Sequence, residues 1–385
     1  CYAELGASDP VAGGSTIYLK KAYSPMVSFI SGFSGFLVSG PGSIAGLAIA
    51  LPTALKGSLG LGDNGVKIIA VALILGLTFV NMRGVKFGAT IQNLSMVGKM
   101  IPILIILILG LTMGKESPDM SIIPASSGNV SFTNLISMTA FAVVATLWAY
   151  EGWANLNTVA EEIKNPAKNL PLSIIIAIAG ITVTYALFNF AIFKVVPFSQ
   201  IQTQIEAGDY YLGTTAANIL LGNWGGRLVM ITMVIAMFGS LNGCILAFPR
   251  SYYAMAKEGM FFESFSFLHP QYGVPTNAII AQAVISIVLV VFRSLDQLTS
   301  LVVFSGMIFK VLVVLAVIIY RKKFPAMDRP YKVFLYPFTV ILTAILFLGL
   351  VVNTLIEDPV TSGLSVVSII IGGLLYKYFE KRNRG

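Results

Sequence analysis

Ten stretches of this sequence are long, apolar and nearly free of charge, near 25–53, 66–82, 91–113, 134–161, 172–195, 227–255, 277–293, 299–319, 333–353 and 361–378. A helix needs about 20 mostly apolar residues to cross the hydrocarbon core of a bilayer. These runs therefore predict about ten transmembrane helices. Only 11% of the 385 residues are charged and the mean hydropathy is +0.84, against roughly 25% charged in soluble domains. So few charges cannot cover the apolar surface of a soluble fold this long, so lipid is the expected solvent. The connections read as short and turn-rich, such as GLGDNG at 60–65 and NPAKNLP at 165–171. Neither a soluble domain nor an interdomain linker is visible, and residues 1–385 read as one transmembrane domain.

Charge placement orders the runs. Cytoplasmic loops collect Lys and Arg. Alternate connections here carry Lys20 and Lys21, then Arg83 and Lys86, then Lys164 and Lys168, then Arg250 and Lys257. The series continues with Arg321, Lys322, Lys323, Arg329 and Lys332, and ends with Lys377, Lys381, Arg382 and Arg384, so it holds most of the 25 basic residues. The opposite set has only Lys56, Lys67, Lys115, Lys194, Arg227 and Arg293, among acids such as Asp63, Glu116 and Asp358. This predicts an even number of spans with both chain ends in the cytoplasm. One wrong span would scramble the alternation.

The formal charge of +8 follows from those loops. There is no basic arm with interleaved aromatics, so nucleic-acid binding is not expected. Cys1 and Cys244 supply neither a disulfide framework nor a thiolate metal site, and His269 reads as a loop histidine before Pro270. HExxH, P-loop and GxSxG patterns are absent. No enzyme, metal or cofactor is expected. No signal peptide is visible. The opening CYAELG, without an initiator Met, reads as the interior of a longer protein.

Three places break the rules for a purely structural span. In 134–161, the stretch Trp148, Ala149, Tyr150, Glu151, Gly152, Trp153, Ala154, Asn155 puts a carboxylate and a glycine after an apolar half. Unpaired charge at mid-bilayer costs at least about 2.5 kcal/mol. The stretch therefore reads as an unwound hinge between two half-helices, whose free carbonyls suit an ammonium and whose free N–H groups suit an anion. The plainer reading is a kinked helix with a pore-facing polar patch. Lys99 lies within 91–113, where it either contacts backbone carbonyls in place of a metal cation or snorkels to the cytoplasmic surface. Lys310 sits near the middle of 299–319, where it pairs with an acid or projects into a vestibule. A small-residue cluster at Ser39–Ser43 interrupts the first run and another, Gly239–Gly243, sits in 227–255; both suit close helix packing, and Gly-Pro-Gly also suits a bend lining a cavity. Tyr185 in 172–195 either turns its hydroxyl to the site or is an interfacial or core tyrosine.

WAYEGWANLNTVAEEIKNPAKNLP (148–171), NMRGVKFGATIQN (81–93) followed by Lys99, FGSLNGCILAFPRSYYAMAKEGM (238–260) and HPQYGVPTNA (269–278) resemble the L-type amino acid transporter family. That family lies within the amino acid–polyamine–organocation superfamily, and the match is to its bacterial alanine–serine–cysteine exchanger branch. The resemblance covers essentially the whole chain. It implies an all-α integral membrane protein with a 5+5 inverted-repeat, LeuT-type fold of twelve spans, with span 6 unwound at its middle. The ten runs then correspond to spans 3–12 and CYAELG to the cytoplasmic end of span 2. Residues 1–113 become a partial first repeat, 134–320 the second repeat, and 333–378 two C-terminal spans. Span 1 and most of span 2 would be missing.

The resemblance also implies roles. Trp148, Ala149, Tyr150, Glu151 and Gly152 form the span-6 half of the substrate site, with Trp148 closing it toward the outside. Glu151 departs from animal members, where glycine is usual. Lys99 takes the place of a sodium site, which implies sodium-independent transport, and Tyr185 is a selectivity and gating position. Animal members pair with a heavy chain through a cysteine in the outer loop. The corresponding loop here, Lys56 to Gly65, has none, so no disulfide-linked heavy chain is implied and a prokaryotic inner membrane is expected. The expected function is alternating-access exchange of small neutral amino acids. A cationic amino acid or polyamine antiporter is the rival that Glu151 keeps open. A membrane-embedded acyltransferase lacks a His/Asp or metal set, and saturable trans-stimulated exchange would exclude a channel.

Overall fold

Most of each apolar run is helical in the computed structural model, which describes residues 1–11, 13–120, 131–147, 149–207 and 211–384. In chain order the helices are α1 (Tyr2–Ser8), α2 (Ser15–Ala22), α3 (Pro25–Ala54), α4 (Asp63–Asn81), α5 (Val85–Met113), α6 (Phe132–Leu147) and α7 (Pro166–Val195). They continue with α8 (Phe198–Glu206), α9 (Leu212–Leu221), α10 (Asn223–Lys257), α11 (Thr276–Phe292), α12 (Leu295–Lys323), α13 (Phe338–Glu357) and α14 (Pro359–Arg384). No strand occurs among the described residues. Eight helices are long and apolar enough to cross a membrane: α3, α4, α5, α7, α10, α12, α13 and α14. The other two expected spans are α11, of 17 residues, and the 134–161 run, which does not stay α-helical. The short helices α2, α8 and α9 lie in segments that hydropathy left as connections.

Burial does not follow hydropathy in α13 and α3. The most apolar stretch of α13 has mean hydropathy 2.4 and is 17% buried, while that of α3 has mean hydropathy 1.5 and is 72% buried. Water would penalise such an arrangement, whereas lipid favours apolar side chains on the outside. Beside buried apolar clusters such as Phe29, Phe33, Phe36 and Phe261, the interior is joined by small and polar residues. A Cβ on Gly42 would come 2.8 Å from Val302 of α12. The Ser34 and Ser39 hydroxyls meet Ser305 at 2.9 and 3.2 Å, and Asn81 Nδ2 donates to Asn242 Oδ1 at 2.8 Å between α4 and α10.

Two expectations change here. The 39–43 cluster does not interrupt its span. Gly40, Pro41 and Gly42 are buried inside a continuous helix, and a π turn at Gly35–Ser39 precedes them. The wider turn relieves the clash between a proline ring and the carbonyl four residues back. NPAKNLP is not a loop either. Pro166 takes the first position of α7, where its missing N–H has no helical partner to lose.

The two basic sets sit at separate ends. At one end Lys20 pairs with Glu258, Lys21 with Asp9 and Arg321 with Glu4. At the other end Lys56 pairs with Asp63, Lys67 donates to the Val291 carbonyl and Lys194 to that of Leu111.

Candidate functional site

The run 134–161 begins as an α-helix and does not finish as one. α6 ends at Leu147, and the Ala149 and Tyr150 amides reach back three residues, to Thr146 and Leu147 at 3.0 and 3.2 Å. Residues 149–152 are turn. Gly152 has φ 112°, a value that a Cβ strongly disfavours. The Glu151 and Gly152 amides donate no backbone hydrogen bond among the described residues. A 3-10 helix, Trp153–Glu162, follows. The sequence suggested a second half-helix here. The tighter form fits short polar side chains that bond their own backbone, as Asn157 Nδ2 does to the Ala154 carbonyl at 3.3 Å. Asn157 is fully buried and accepts from the Tyr18 hydroxyl of α2 at 3.1 Å, which holds this segment in place.

Three of the side chains expected at the site, Tyr185, Tyr150 and Glu151, make contacts at the break. The Tyr185 hydroxyl, on α7, donates to the Ala149 carbonyl at 3.2 Å. Its ring meets that of Tyr150 edge-on, with centroids 5.2 Å apart. Glu151 forms an ion pair with Lys310 of α12. Lys99 lies in α5. It is half-buried beside Gly98, which packs toward Ile235 of α10, and it makes no hydrogen bond or ion pair among the described residues. Trp148 lies outside the described residues.

The sequence left Lys310 either with an unnamed acid or in a vestibule. The pair spans 159 residues, and the only local signal is that charges at bilayer depth need partners. The Tyr18–Asn157 bond had no signal at all. A cavity of about 310 Å³ lies elsewhere, among Lys20, Phe29, Gly32, Arg250 and Met255, and no residue of the break lines it. No cluster of three or more His, Cys, Asp or Glu residues able to hold a metal occurs among the described residues.

Chemically, the break sets two opposite partial charges close together. The end of α6 presents carbonyls and the start of the 3-10 helix presents amides. Interrupted helices of this kind grip the ammonium and carboxylate groups of a zwitterion in transporters.

A family model described as amino acid permease matches residues 1–375. The serine/threonine exchanger SteT of Bacillus subtilis (strain 168) is 33% identical over 382 residues, covering 99% of this chain and 84% of the relative. The b(0,+)-type amino acid transporter 1 of Homo sapiens is 29% identical, covering 98% of this chain and 76% of the relative. The cystine/glutamate transporter of Homo sapiens is also 29% identical, with 98% and 74% covered. These relatives are transporters and exchangers, not enzymes. With an all-helical membrane architecture, a span broken at 149–152 and a family match along nearly its whole length, the chain belongs to the amino acid permease family of the amino acid–polyamine–organocation superfamily.

Proposed function

We propose that this protein exchanges small neutral L-amino acids (alanine, serine, cysteine and glycine) across a cell membrane by alternating access and without sodium. The observation that carries the reading is the break at 149–152 in a segment that otherwise crosses the membrane, with the Tyr185 hydroxyl on the Ala149 carbonyl. Peptide groups left out of a helix at that depth are tolerated only where they line a cavity or meet protein. A zwitterion supplies the complementary charges. The serine/threonine exchanger of Bacillus subtilis points to small substrates and to exchange.

In this reading residues 148–152 bind substrate, Tyr185 gates it, and Lys99 stands where sodium-coupled relatives hold their ion. Residues 1–113 and 134–320 belong to inverted repeats that rock around the site. The membrane is the inner membrane of a prokaryote. The basic set that includes Lys20, Arg321 and Lys381 faces the cytoplasm. No disulfide-linked heavy chain is required, because the segment Lys56 to Gly65 has no cysteine.

The test is uptake of labelled alanine, serine, glycine and leucine into proteoliposomes, preloaded with unlabelled alanine or left empty, in sodium or choline buffer. Preloading should accelerate the uptake of small substrates, and choline should leave it unchanged. Equal uptake into empty and preloaded vesicles would defeat exchange, and a collapse in choline would defeat sodium independence.

A further inference from the structure

Glu151 is the acid in the stretch of backbone proposed to hold the substrate, and Lys310 is the cation that meets it. The two sit on different elements, the break after α6 and the middle of α12. Their side chains are 30% and 15% exposed. Gly306, one turn before Lys310, faces the same carboxylate, with Oε1 3.9 Å from where its Cβ would stand. The absence of a side chain there leaves the ammonium a clear approach. On the other flank Tyr2 packs edge-on against Trp153, with centroids 4.8 Å apart.

An amino acid with an uncharged side chain has no net charge, and the paired Glu151 and Lys310 have none either. Arginine, lysine or a polyamine brings a further positive charge. Such a ligand needs an uncompensated carboxylate, and the one acid of the break is already engaged by an ammonium. That ammonium also repels the newcomer, and selectivity by a built-in repulsive element is a general device.

We infer that Lys310 is a specificity-determining residue, which neutralises Glu151 and so restricts the site to substrates without a cationic side chain. The inference rests on the amino acid reading above. Lys310 acts through Glu151 and is a positioning residue; it is not assigned a substrate contact.

The test uses the full chain in proteoliposomes and reads inhibition of labelled alanine exchange by unlabelled alanine, arginine and putrescine. The wild type should be inhibited by alanine and not by arginine or putrescine. In K310M the concentration of arginine that halves exchange should fall at least about tenfold relative to that of alanine, because a charge-assisted contact becomes available. In E151Q/K310M that gain should vanish, whatever the absolute rate. An unchanged arginine-to-alanine ratio in K310M, with exchange and thermal midpoint merely lowered, would mean that the pair is only structural and would overturn the inference. A double variant that still gains arginine would overturn it as well.

If K310M does not purify as a monodisperse species, the swapped pair E151K/K310E carries the test. It must still exclude arginine, and admission of arginine overturns the inference. Arginine competing as well as alanine in the wild type would sink the role of Lys310 while leaving amino acid exchange intact. A wild type that exchanges no amino acid overturns both.

Discussion

Tyr185 lies within a 30-residue apolar helix, and its hydroxyl reaches out of α7 to a carbonyl that α6 no longer uses. One such hydrogen bond contributes about 0.5–1.5 kcal/mol, so Tyr185→Phe should slow alanine exchange roughly 2–13-fold. Thermal unfolding in detergent should move little. Initial rates from proteoliposomes check this, and a wild-type rate would remove Tyr185 from the site. Gly152 is held at φ 112° with open space around its Cβ position. The cost of Gly152→Ala therefore comes from backbone strain alone, about 1–2 kcal/mol. A lowered midpoint together with slower exchange is expected. Lys99→Ala should impair exchange while the protein stays folded and monodisperse. Wild-type exchange would leave Lys99 as a snorkelling residue.

At the scale of elements, α4 and α10 meet through Asn81 and Asn242, both buried. Hydrogen bonds between membrane helices average about 0.6 kcal/mol and reach about 1.7 kcal/mol in double-mutant cycles. A cycle of Asn81→Leu, Asn242→Leu and the double variant, followed by thermal unfolding in detergent, should return a coupling in that range. A coupling near zero would mean that shape, not the amide pair, joins these helices. α3 shows the complementary strategy. Its glycines and serines remove bulk, so that α10, α12 and α14 can approach its backbone.

At the scale of the molecule, one end is tied by a charge network that draws on distant parts of the chain. Glu4 of α1, 2% exposed, accepts from Arg321 Nε and Nη2 at 2.8 and 2.7 Å and from the Val333 amide at 2.6 Å. Arg321 also lies over the Tyr336 ring, 3.7 Å from its centroid. Removing one partner of a buried pair costs up to about 3–5 kcal/mol, here lessened by Arg329, whose Nε lies 3.9 Å from Glu4 Oε1. Arg321→Met should therefore lower the thermal midpoint markedly, and Glu4→Gln/Arg321→Met should recover part of the loss. A double variant as unstable as the single one would show that Arg321 acts through Tyr336 packing and not through Glu4.

The sequence by itself determined the class of protein, the positions of its spans, the alternation of their ends and the place where one of them breaks. Each of these is a local quantity: runs of hydropathy, loop charge, and Glu151-Gly152 in an otherwise apolar segment. The tertiary structure alone decided which groups meet. Lys310 could pair with an acid or face a vestibule, and nothing near it in the chain named Glu151. Tyr18 and Asn157 lie 139 residues apart and Glu4 and Arg321 lie 317 apart. Tertiary packing also kept α3 continuous through Pro41. Bilayer physics states that a buried charge or dipole must be satisfied, and only the packing of helices in three dimensions chooses the partner.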